Sequence, residues 1–449
     1  MLTYELRLAL HSMRRTPALT VLMISAIGFG ISACLVTLTV HHAMSGNPIW
    51  WKNNVLYAVT MDSRDLQQSG STPLADSGPD QLSYRDATYL YGSDIPRRKA
   101  IMATVSGWLS GVPGQAGPAL IHARAASGDF FRMFDVPFEY GGPWNAAADR
   151  GPEPVIVLSK SLNDKLFGGS DSIGRTILWN GRQFRIVGVL KSWQPVPRFY
   201  DVVNNPFATP EDAFVPFNWA LTLGELPAGP SSDWSPQPLT NYSNFLGSED
   251  VWIEMWVELP DAASRSRMLA FMNSYWAAQR KTGRFQRPLN NHLTNVGDWM
   301  RVNHVVRDDN RILLRLAFAF LAVCLLNTVG ILLAKFLRRA PVTGLLRALG
   351  ASRGQIFCQH LVEVSAIAIV GAAAGLALGA AGLGAVQALY GNGASAYDPG
   401  STNYVALTHF DPIGIAWALA LAALSTLAAG LYPAWIVGRL PPSRYLKSQ

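Results

Sequence analysis

Apolar and polar positions alternate along this chain on a long scale. Four uncharged apolar stretches, Ala18 to Val40, Leu316 to Ala334, Val364 to Leu389 and Pro412 to Gly438, each reach the ~17–25 residues that a helix needs to cross a bilayer. Between the first two lies a polar region, Met44 to Asn310, with the turn-rich composition of a water-exposed domain and enough length to bury its own core. The pattern predicts a membrane protein of four transmembrane α-helices with a large α+β domain between spans one and two.

Shorter periods within that domain predict its elements. The run "PVIVLS" reads as a strand and "SKSLNDKLFGG" as a helix, with Ser159 capping its start, Leu162 and Leu166 one turn apart, and Gly168 ending it. The stretch "TILWNGRQFRIVGVL" reads as two strands around the turn Asn180-Gly181. Residues 199–250 are rich in Pro, Ser and Asn and read as an irregular excursion or inserted subdomain. Residues 251–260, "VWIEMWVELP", alternate like a strand, and 262–283 read as a helix ended by Gly283. Near the second span, the spacing of Trp299, Val302, Val305 and Ile312 predicts an unbroken helix from Asp298 to Arg315. At 1.5 Å per residue it would project roughly 25 Å from the bilayer. The first span extends through His41 to Gly46 on the same logic, and two such extensions would form a stalk under the domain.

Composition agrees: 49% of the 449 residues are hydrophobic and only 15% charged, against about 25% charged in soluble domains. The net charge of +7 is informative through its placement. Arg7, Arg14 and Arg15 precede the first span; Lys335, Arg338, Arg339, Arg347 and Arg353 fill the second connection; Arg439, Arg444 and Lys447 follow the last span. The connection from Tyr390 to Asp411 has no Lys or Arg. Short basic connections stay in the cytoplasm, so both termini and the second connection are expected inside, and the large domain and the 390–411 loop outside. The cysteines, Cys34, Cys324 and Cys358, all lie outside the exported domain, which must be held by packing without disulfides.

Two short motifs are decoys. "ISAC", Ile31 to Cys34, fits a lipoprotein cleavage box, but the apolar run continues past it, beyond the 7–15 residues of a signal core. "GGSDSIGRT" nearly spells a phosphate-binding loop from Gly169, but Arg175 replaces the phosphate-reaching lysine and strands follow where a helix is needed. No metal-ligand spacing or catalytic constellation stands out, and His41-His42 reads as interfacial. No catalytic, cofactor or metal site is expected, so ATP chemistry would come from another chain.

The segment "GLLRALGASRG", residues 344–354, is a short basic helix between two apolar runs. Thr343 to Leu349 can make two helical turns with Leu345, Leu346 and Leu349 as an apolar ridge. Gly350 can end it in a left-handed conformation, and Ser352-Arg353-Gly354-Gln355 fits a capping box that opens the third span. It is either a connection anchored to headgroups or a lever for the third span. In that span Gly371, Gly375 and Gly379 recur every four residues and form a packing groove, for the second or fourth span of the same chain or for a partner permease. Asn327, the main polar group within the spans, is expected to hydrogen-bond between helices.

Several stretches carry a family resemblance. "GLLRALGAS" resembles the "GLRRALGAS" motif of MacB/FtsX-type permeases of ABC transporters. "LNTVGILLAKFLRRA", "QHLVEVSAIAIVGAAAGLALG" and "LYPAWIVGRLPPSRYL" resemble that family's second span, third span and C-terminus, and "LALHSMRRTPALTVLMISAIGFGI" its elbow helix and first span. "SGDFFRMFDVPF" and the 154–190 stretch resemble the MacB-type periplasmic core domain. Two positions depart from the pattern: Val342 stands where the family has Glu, and Gly141-Gly142 where it has Gly-Arg.

The resemblance implies an elbow helix at 1–16, spans at 17–42, 311–336, 361–390 and 412–438, and a periplasmic core domain with stalk at 43–310. It implies a coupling segment at 337–360, a short periplasmic loop at 391–411 and a cytoplasmic tail at 439–449. It assigns Gly344, Leu345, Leu346, Arg347, Ala348, Leu349 and Gly350 to coupling with a cytoplasmic ABC ATPase, which would hold the ATP and Mg; this chain would carry no cofactor. The implied function is mechanotransmission from that ATPase to the periplasm, in tripartite efflux or export from a bacterial inner membrane. Implied partners are the ATPase, a second permease in a homo- or heterodimer, membrane lipid, a periplasmic adaptor and an outer-membrane channel, with no nucleic acid. Alternatives are lipoprotein release, activation of a cell-wall hydrolase, or a membrane-anchored scaffold or receptor without an ATPase.

Overall fold

The computed structural model describes residues 13, 16–64, 66, 79–113, 117–151, 153–224, 227–229, 231–232, 241–390, 402–408 and isolated positions between 416 and 436. The chain forms two compact units, one of 1–45, 306–393 and 404–449 and one of 46–305 and 394–403. The elbow helix, the C-terminal tail and most of the fourth apolar stretch lie outside the described residues. Among the described residues, three helices are long and apolar enough to cross a membrane.

The first is α1 (Pro17–Ser45), an unbroken helix that runs on through His41-His42. Cys34 sits buried inside it, its thiol 3.4 Å from the Ala317 carbonyl oxygen, so the cleavage-box cysteine is a packing residue.

The second unit is built on an eleven-stranded mixed sheet. Its strands are β1 (Leu56–Thr60), β2 (Leu82–Ser83), β3 (Arg98–Ser110), β4 (Ala119–Ala126), β5 (Phe138–Gly141), β6 (Val155–Leu158), β7 (Thr176–Trp179), β8 (Arg182–Leu190), β9 (Ala213–Pro216), β10 (Val251–Glu258) and β11 (His292–Asn295). The order is β11-β1-β10-β3-β4-β9-β6-β8-β5, with β2 on β10 and β7 on β3 and β8. β4–β9 and β6–β8 are parallel and the other pairs antiparallel. The helices are α2 (Tyr84–Tyr91), α3 (Asp129–Met133), α4 (Ala146–Arg150), α5 (Lys160–Phe167), α6 (Phe217–Leu223), α7 (Tyr242–Gly247), α8 (Ala262–Lys281) and α9 (Val296–Val302).

Local chemistry decided several of these elements as expected. Ser159 accepts the Leu162 amide at the start of α5, and Gly168 ends it at φ 64°. Asn180 and Gly181, at φ 47° and 73°, make the tight turn between β7 and β8. The Gly168–Thr176 stretch thus follows a helix and enters a strand, the reverse of a phosphate-binding loop.

Three expectations needed correction. Residues 199–250 are no mere excursion: β9 lies in mid-sheet between β4 and β6, and all four of its residues are buried. A four-residue strand amid prolines gives no periodic signal. β10 does not alternate; all eight residues are buried, because the sheet is covered on both faces there. Met255 and Val257 join the cluster containing Met268 and Met272, while Trp256 meets Phe134, Phe199 and Trp299 on the other face. The third correction is the stalk. α9 stops at Val302, where the Asn303 amide donates to the Trp299 carbonyl and His304 turns left-handed at φ 48°. A side-chain amide that competes for an i−4 carbonyl unravels a helix end. The next helix starts afresh at Asp308, so the stretch reaching Arg315 is about 12 Å rather than 25.

The domain buries a charge cluster between β4, β9 and β10. Arg124 is fully buried and donates to Asp201, to Glu211 at 2.6 Å and to Thr104 at 3.4 Å. Arg198 donates to Glu211 at 3.2 Å and to Asp201 at 3.3 Å, and the Tyr200 hydroxyl donates to Glu211 at 2.9 Å. Two guanidinium groups therefore meet two carboxylates, which they hold below the usual carboxylate range against the opposing effect of burial. Glu254 is the third acid, 3.9 Å from Arg124 Nη1 and hydrogen-bonded by Gln81 at 2.9 Å. With both arginines already matched, burial and then the Asp201 charge push Glu254 up to about 8, so it is neutral at pH 7.

The membrane unit continues with α10 (Asp308–Arg338), α11 (Ala340–Ala348), α12 (Arg353–Tyr390) and the short α13 (Tyr404–Leu407). α1 packs against both α10 and α12. A Cβ on Gly371 would lie 2.9 Å from Ile27, one on Gly375 2.9 Å from the Gly28 carbonyl oxygen, and one on Gly379 2.6 Å from Leu35. The groove of the third span is therefore filled by the first span of the same chain, not by the second or fourth span or a partner. On the α10 side, a Cβ on Gly30 would lie 2.8 Å from Leu321 Cδ1.

Two outcomes follow. Gly375→Leu drives a side chain into the α1 backbone and should destabilise the protein by roughly 1–3 kcal/mol or more. Gly384→Leu, where a Cβ meets nothing within 4 Å, should be neutral. Equal melting temperatures of the two variants in detergent would refute the close contact. For Glu254, the folded-state value above the ordinary 4.5 means stability present below pH 4.5 and lost as pH rises towards 8. On the order of 3 kcal/mol should disappear by pH 7 and be insensitive to pH in Glu254→Gln. The urea midpoint of the full-length protein, read by tryptophan fluorescence from pH 5 to 8, measures this.

Candidate functional site

The connection between the second and third spans is short enough to be rigid. α10 ends at Arg338, and α11 begins at Ala340 with Pro341 in its first turn, a position where the missing N–H costs nothing. The helix thus starts three residues earlier than the Thr343 expected from the sequence. Thr343 is buried and donates its hydroxyl to the Arg339 carbonyl at 3.2 Å. Val342, Leu345, Leu346 and Leu349 are 60%, 53%, 40% and 78% exposed, so the expected ridge exists and is bare. The side chains of Arg347 and Ala348 lie outside the described residues.

The far end closes as its chemistry requires. Gly350 adopts φ 103°, Leu349 N–H donates to the Leu345 carbonyl and Ala351 N–H to the Leu346 carbonyl, both at 3.0 Å. The backbone of Ser352 donates to Gln355 Oε1 at 2.9 Å, and the Gln355 amide returns a bond to Ser352 Oγ at 3.2 Å. This reciprocal pair is the expected capping box. It starts α12 at Arg353, well before the apolar stretch at Val364.

A buried ion pair joins the two long helices that flank α11. Lys335 Nζ lies 2.7 Å from Glu363 Oε1, with side chains 1% and 5% exposed, and Arg339 Nη1 lies 3.6 Å from Glu363 Oε2. Phe336 packs on His360 with ring centroids 4.2 Å apart. Lys335, expected in the basic connection after the second span, is buried, and it and Glu363 join Asn327 as polar groups of the long helices. The signal for the pair was the lone acid Glu363 at the foot of an uncharged stretch, one end of a spacing that only the fold could match to Lys335. Asn327 lies exposed on α10 and makes no interhelical hydrogen bond among the described residues.

The profile of the MacB-like periplasmic core domain matches residues 20–270, more than half of the chain, and that of the FtsX-like permease C-terminal region matches 315–442. The chain belongs to the MacB/FtsX-type permeases of ABC transporters. The macrolide export ATP-binding/permease protein MacB of Neisseria meningitidis is 24% identical over 254 residues, which cover 56% of this chain and 34% of that protein. MacB of Neisseria gonorrhoeae gives the same figures. The matched region is thus about a third of these relatives' length. The periplasmic region of MacB from Actinobacillus actinomycetemcomitans superposes with a TM-score of 0.33 at 14% identity, covering 55% of this chain and 92% of that one. The extracellular domain of the noncanonic ABC-type transporter YknZ from Gram-positive bacteria gives 0.33 and 14%, covering 54% and 100%.

In this MacB/FtsX-type permease, Gly344, Leu345, Leu346, Leu349 and Gly350 come together on one helical element, whereas Gly371, Gly375 and Gly379 serve the contact between spans one and three. The ion pair ties the end of α10 to α12, with Lys335 and Arg339 on the N-terminal side of α11 both reaching Glu363. Removing one partner of such a pair leaves a buried charge uncompensated. Glu363→Leu should destabilise the detergent-solubilised permease by roughly 3 kcal/mol, and Lys335→Met in the same chain should restore most of it. A double variant no more stable than Glu363→Leu would show the pair to be incidental.

Proposed function

We propose that this chain is the four-span permease half of an ABC transporter, and that α11 is gripped by a separate cytoplasmic ATPase which alone binds ATP and Mg. The observation that carries this is the bare leucine ridge of α11, on a short helix between α10 and α12. Exposed leucines on a short, fixed helix need a partner surface, and displacement of that surface moves α12 directly. α1, α10 and α12 run for about 43, 46 and 57 Å at 1.5 Å per residue, longer than the ~30 Å hydrocarbon core, which suits helices that transmit motion.

A cluster of Met, Ile, Leu, Cys, Ala, Phe and Val side chains packs these spans together, which favours motion relayed across the membrane over a hydrophilic path through it. Both termini and the coupling segment lie in the cytoplasm and the 46–305 domain in the periplasm of the inner membrane. Support comes from the basic segments and from the second periplasmic connection: Thr402 pairs with Ala208, and Asn403 N–H donates to the Phe207 carbonyl at 2.6 Å. These contacts of Thr402 and Asn403 support a reading in which the loop and the domain share one side. The permease works as a dimer and passes ATP-driven motion to its periplasmic domain, which acts on an adaptor and outer-membrane channel in tripartite efflux. Val342, exposed where the family has Glu, makes this interface more apolar than is usual.

The test is co-purification followed by charge reversal. The full-length chain should bring down an ABC ATPase from its native membrane, and Arg347→Glu should lower stimulated ATP hydrolysis by about tenfold, ~1.4 kcal/mol of coupling, with insertion unchanged. Absence of any ATPase would favour a membrane-anchored scaffold, and full stimulated hydrolysis in Arg347→Glu would remove α11 from the coupling path.

A further inference from the structure

Two cavities in the 46–305 unit meet at the segment Ser192-Trp193-Gln194, just past the end of β8, and all three residues line both. The larger is about 480 Å³, within the roughly 300–1,000 Å³ of small-molecule sites. Trp51, Phe134, Pro195, Val196 and Phe199 give it aromatic and aliphatic walls. These walls are set rigidly. Phe134 and Phe199 are buried and meet edge to face at 5.2 Å. Trp51 is 56% exposed, yet the Asp135 carboxylate accepts its indole N–H at 3.0 Å and so fixes the ring. The smaller cavity, about 250 Å³, is polar, lined by Ser159, Lys160, Ser161, Asp164 and Lys191. Trp193 stands between the two. Tyr200 stacks on its ring at 5.4 Å and 9°, Phe130 meets it edge-on at 6.0 Å, and its remaining surface lines both cavities. The flanks are tied down as well: Lys191 N–H donates to the Pro137 carbonyl at 3.0 Å, and Ser159 N–H to the Asp212 carbonyl at 2.8 Å.

We propose that the paired cavities form one binding site for an uncharged glycoside, its apolar aglycone in the larger cavity and its sugar ring in the smaller, against Trp193. The charges decide against an ionised head. Lys160 lies 3.4 Å from both Glu139 and Asp164, and Lys52 lies 2.6 Å from Asp135. Glu211, buried in the wall of the smaller cavity, is matched by Arg124 and Arg198. A charged group entering would leave water without an unspent counter-charge to meet, which is costly. The exception is Lys191, which is exposed and has no ion pair among the described residues. What the smaller cavity offers instead is mixed hydrogen bonding. The Ser161 and Ser192 hydroxyls and the Gln194 carboxamide each donate and accept, and the side chains of Ser192 and Gln194 have no hydrogen bond among the described residues. A sugar has the matching form, a C–H face that packs on an aromatic ring and a rim of hydroxyls that both donate and accept. An indole held by its neighbours supplies that contact area with little entropy left to lose. The site lies within one unit of the chain and depends neither on an ATPase nor on the topology of the spans.

Equilibrium dialysis of the full-length protein in lipid nanodiscs tests this, with n-hexyl β-glucoside as the probe and empty nanodiscs as the blank. The probe should bind saturably, and about tenfold more tightly than glucose, 1-hexanol, hexyl sulfate or hexyltrimethylammonium, which each lack one half of the ligand or carry a charge. Trp51→Ala should weaken hexyl glucoside about tenfold and leave glucose unchanged, whereas Trp193→Ala should weaken both. Because Trp193 also packs inside the domain, Ser192→Ala combined with Gln194→Ala is the second variant. Both side chains are exposed, so the pair should weaken the glucoside several-fold at an unchanged melting temperature and leave hexanol as it was. Uptake no greater than that of empty nanodiscs overturns the site. Hexyl sulfate binding more tightly than the glucoside, and losing that advantage in Lys191→Gln, overturns it in favour of an anion site. Wild-type affinity for the glucoside in the Ser192 and Gln194 double variant shows that no sugar is held there and overturns the proposal too.

Discussion

The membrane unit depends on how closely one helix backbone can approach another. In lipid, burying a leucine against a leucine gains little over leaving it in hydrocarbon, so attraction comes from close packing. Gly28 and Gly30 lie on two sides of α1 and admit α12 and α10 respectively. α12 answers with Gly371, Gly375 and Gly379, so that α1 is the axle around which the other two are set. Because α10 and α12 each bear on α1, the bracket of Lys335, Arg339 and Glu363 closes over a spacing that α1 already defines. α11 then follows with Leu345, Leu346 and Leu349 exposed.

The exported domain solves a different problem. Without a disulfide it must hold a long mixed sheet together across β9, a strand of four residues. Arg124 on β4 reaches acids on the chain leading into β9 and on β10, and Arg198 also pairs with the first two, Asp201 and Glu211. Burying so many charges is tolerable only when every guanidinium has its counter-charge, and the surplus acid escapes the problem by keeping its proton. The cluster specifies which strands meet more than it adds to stability, since an apolar core of equal volume would serve as well energetically.

Elements written in local chemistry were legible in the chain. The Ser159 cap, the Asn180-Gly181 turn, the Gly350 stop and the Ser352–Gln355 box each need only a few neighbouring residues, and the structure carries all four. The first three apolar helices were legible too, because an uncharged run of sufficient length has few other fates. The break at Asn303-His304 was missed although it is local: helical spacing of apolar residues continues across it, and periodicity counts the residues that fit without weighing an amide that competes for its own helix carbonyl.

By itself, then, the sequence determined three apolar helices long enough to cross a membrane, where the helix between the second and third of them stops, and which permease family the chain belongs to. It also singled out the glycines of the third span as a contact face. Only the tertiary structure decided what fills that face, that Lys335 belongs to Glu363 rather than to water, that Asn327 looks outward, and that Arg124 and Arg198 bind one set of acids. The reason is physical. Caps, turns and hydrophobic length act over a few residues and leave a mark in the local pattern. Partner choice depends on which surfaces lie within a few ångströms after the chain has folded, and residues separated by tens or hundreds of positions carry no local sign of having met.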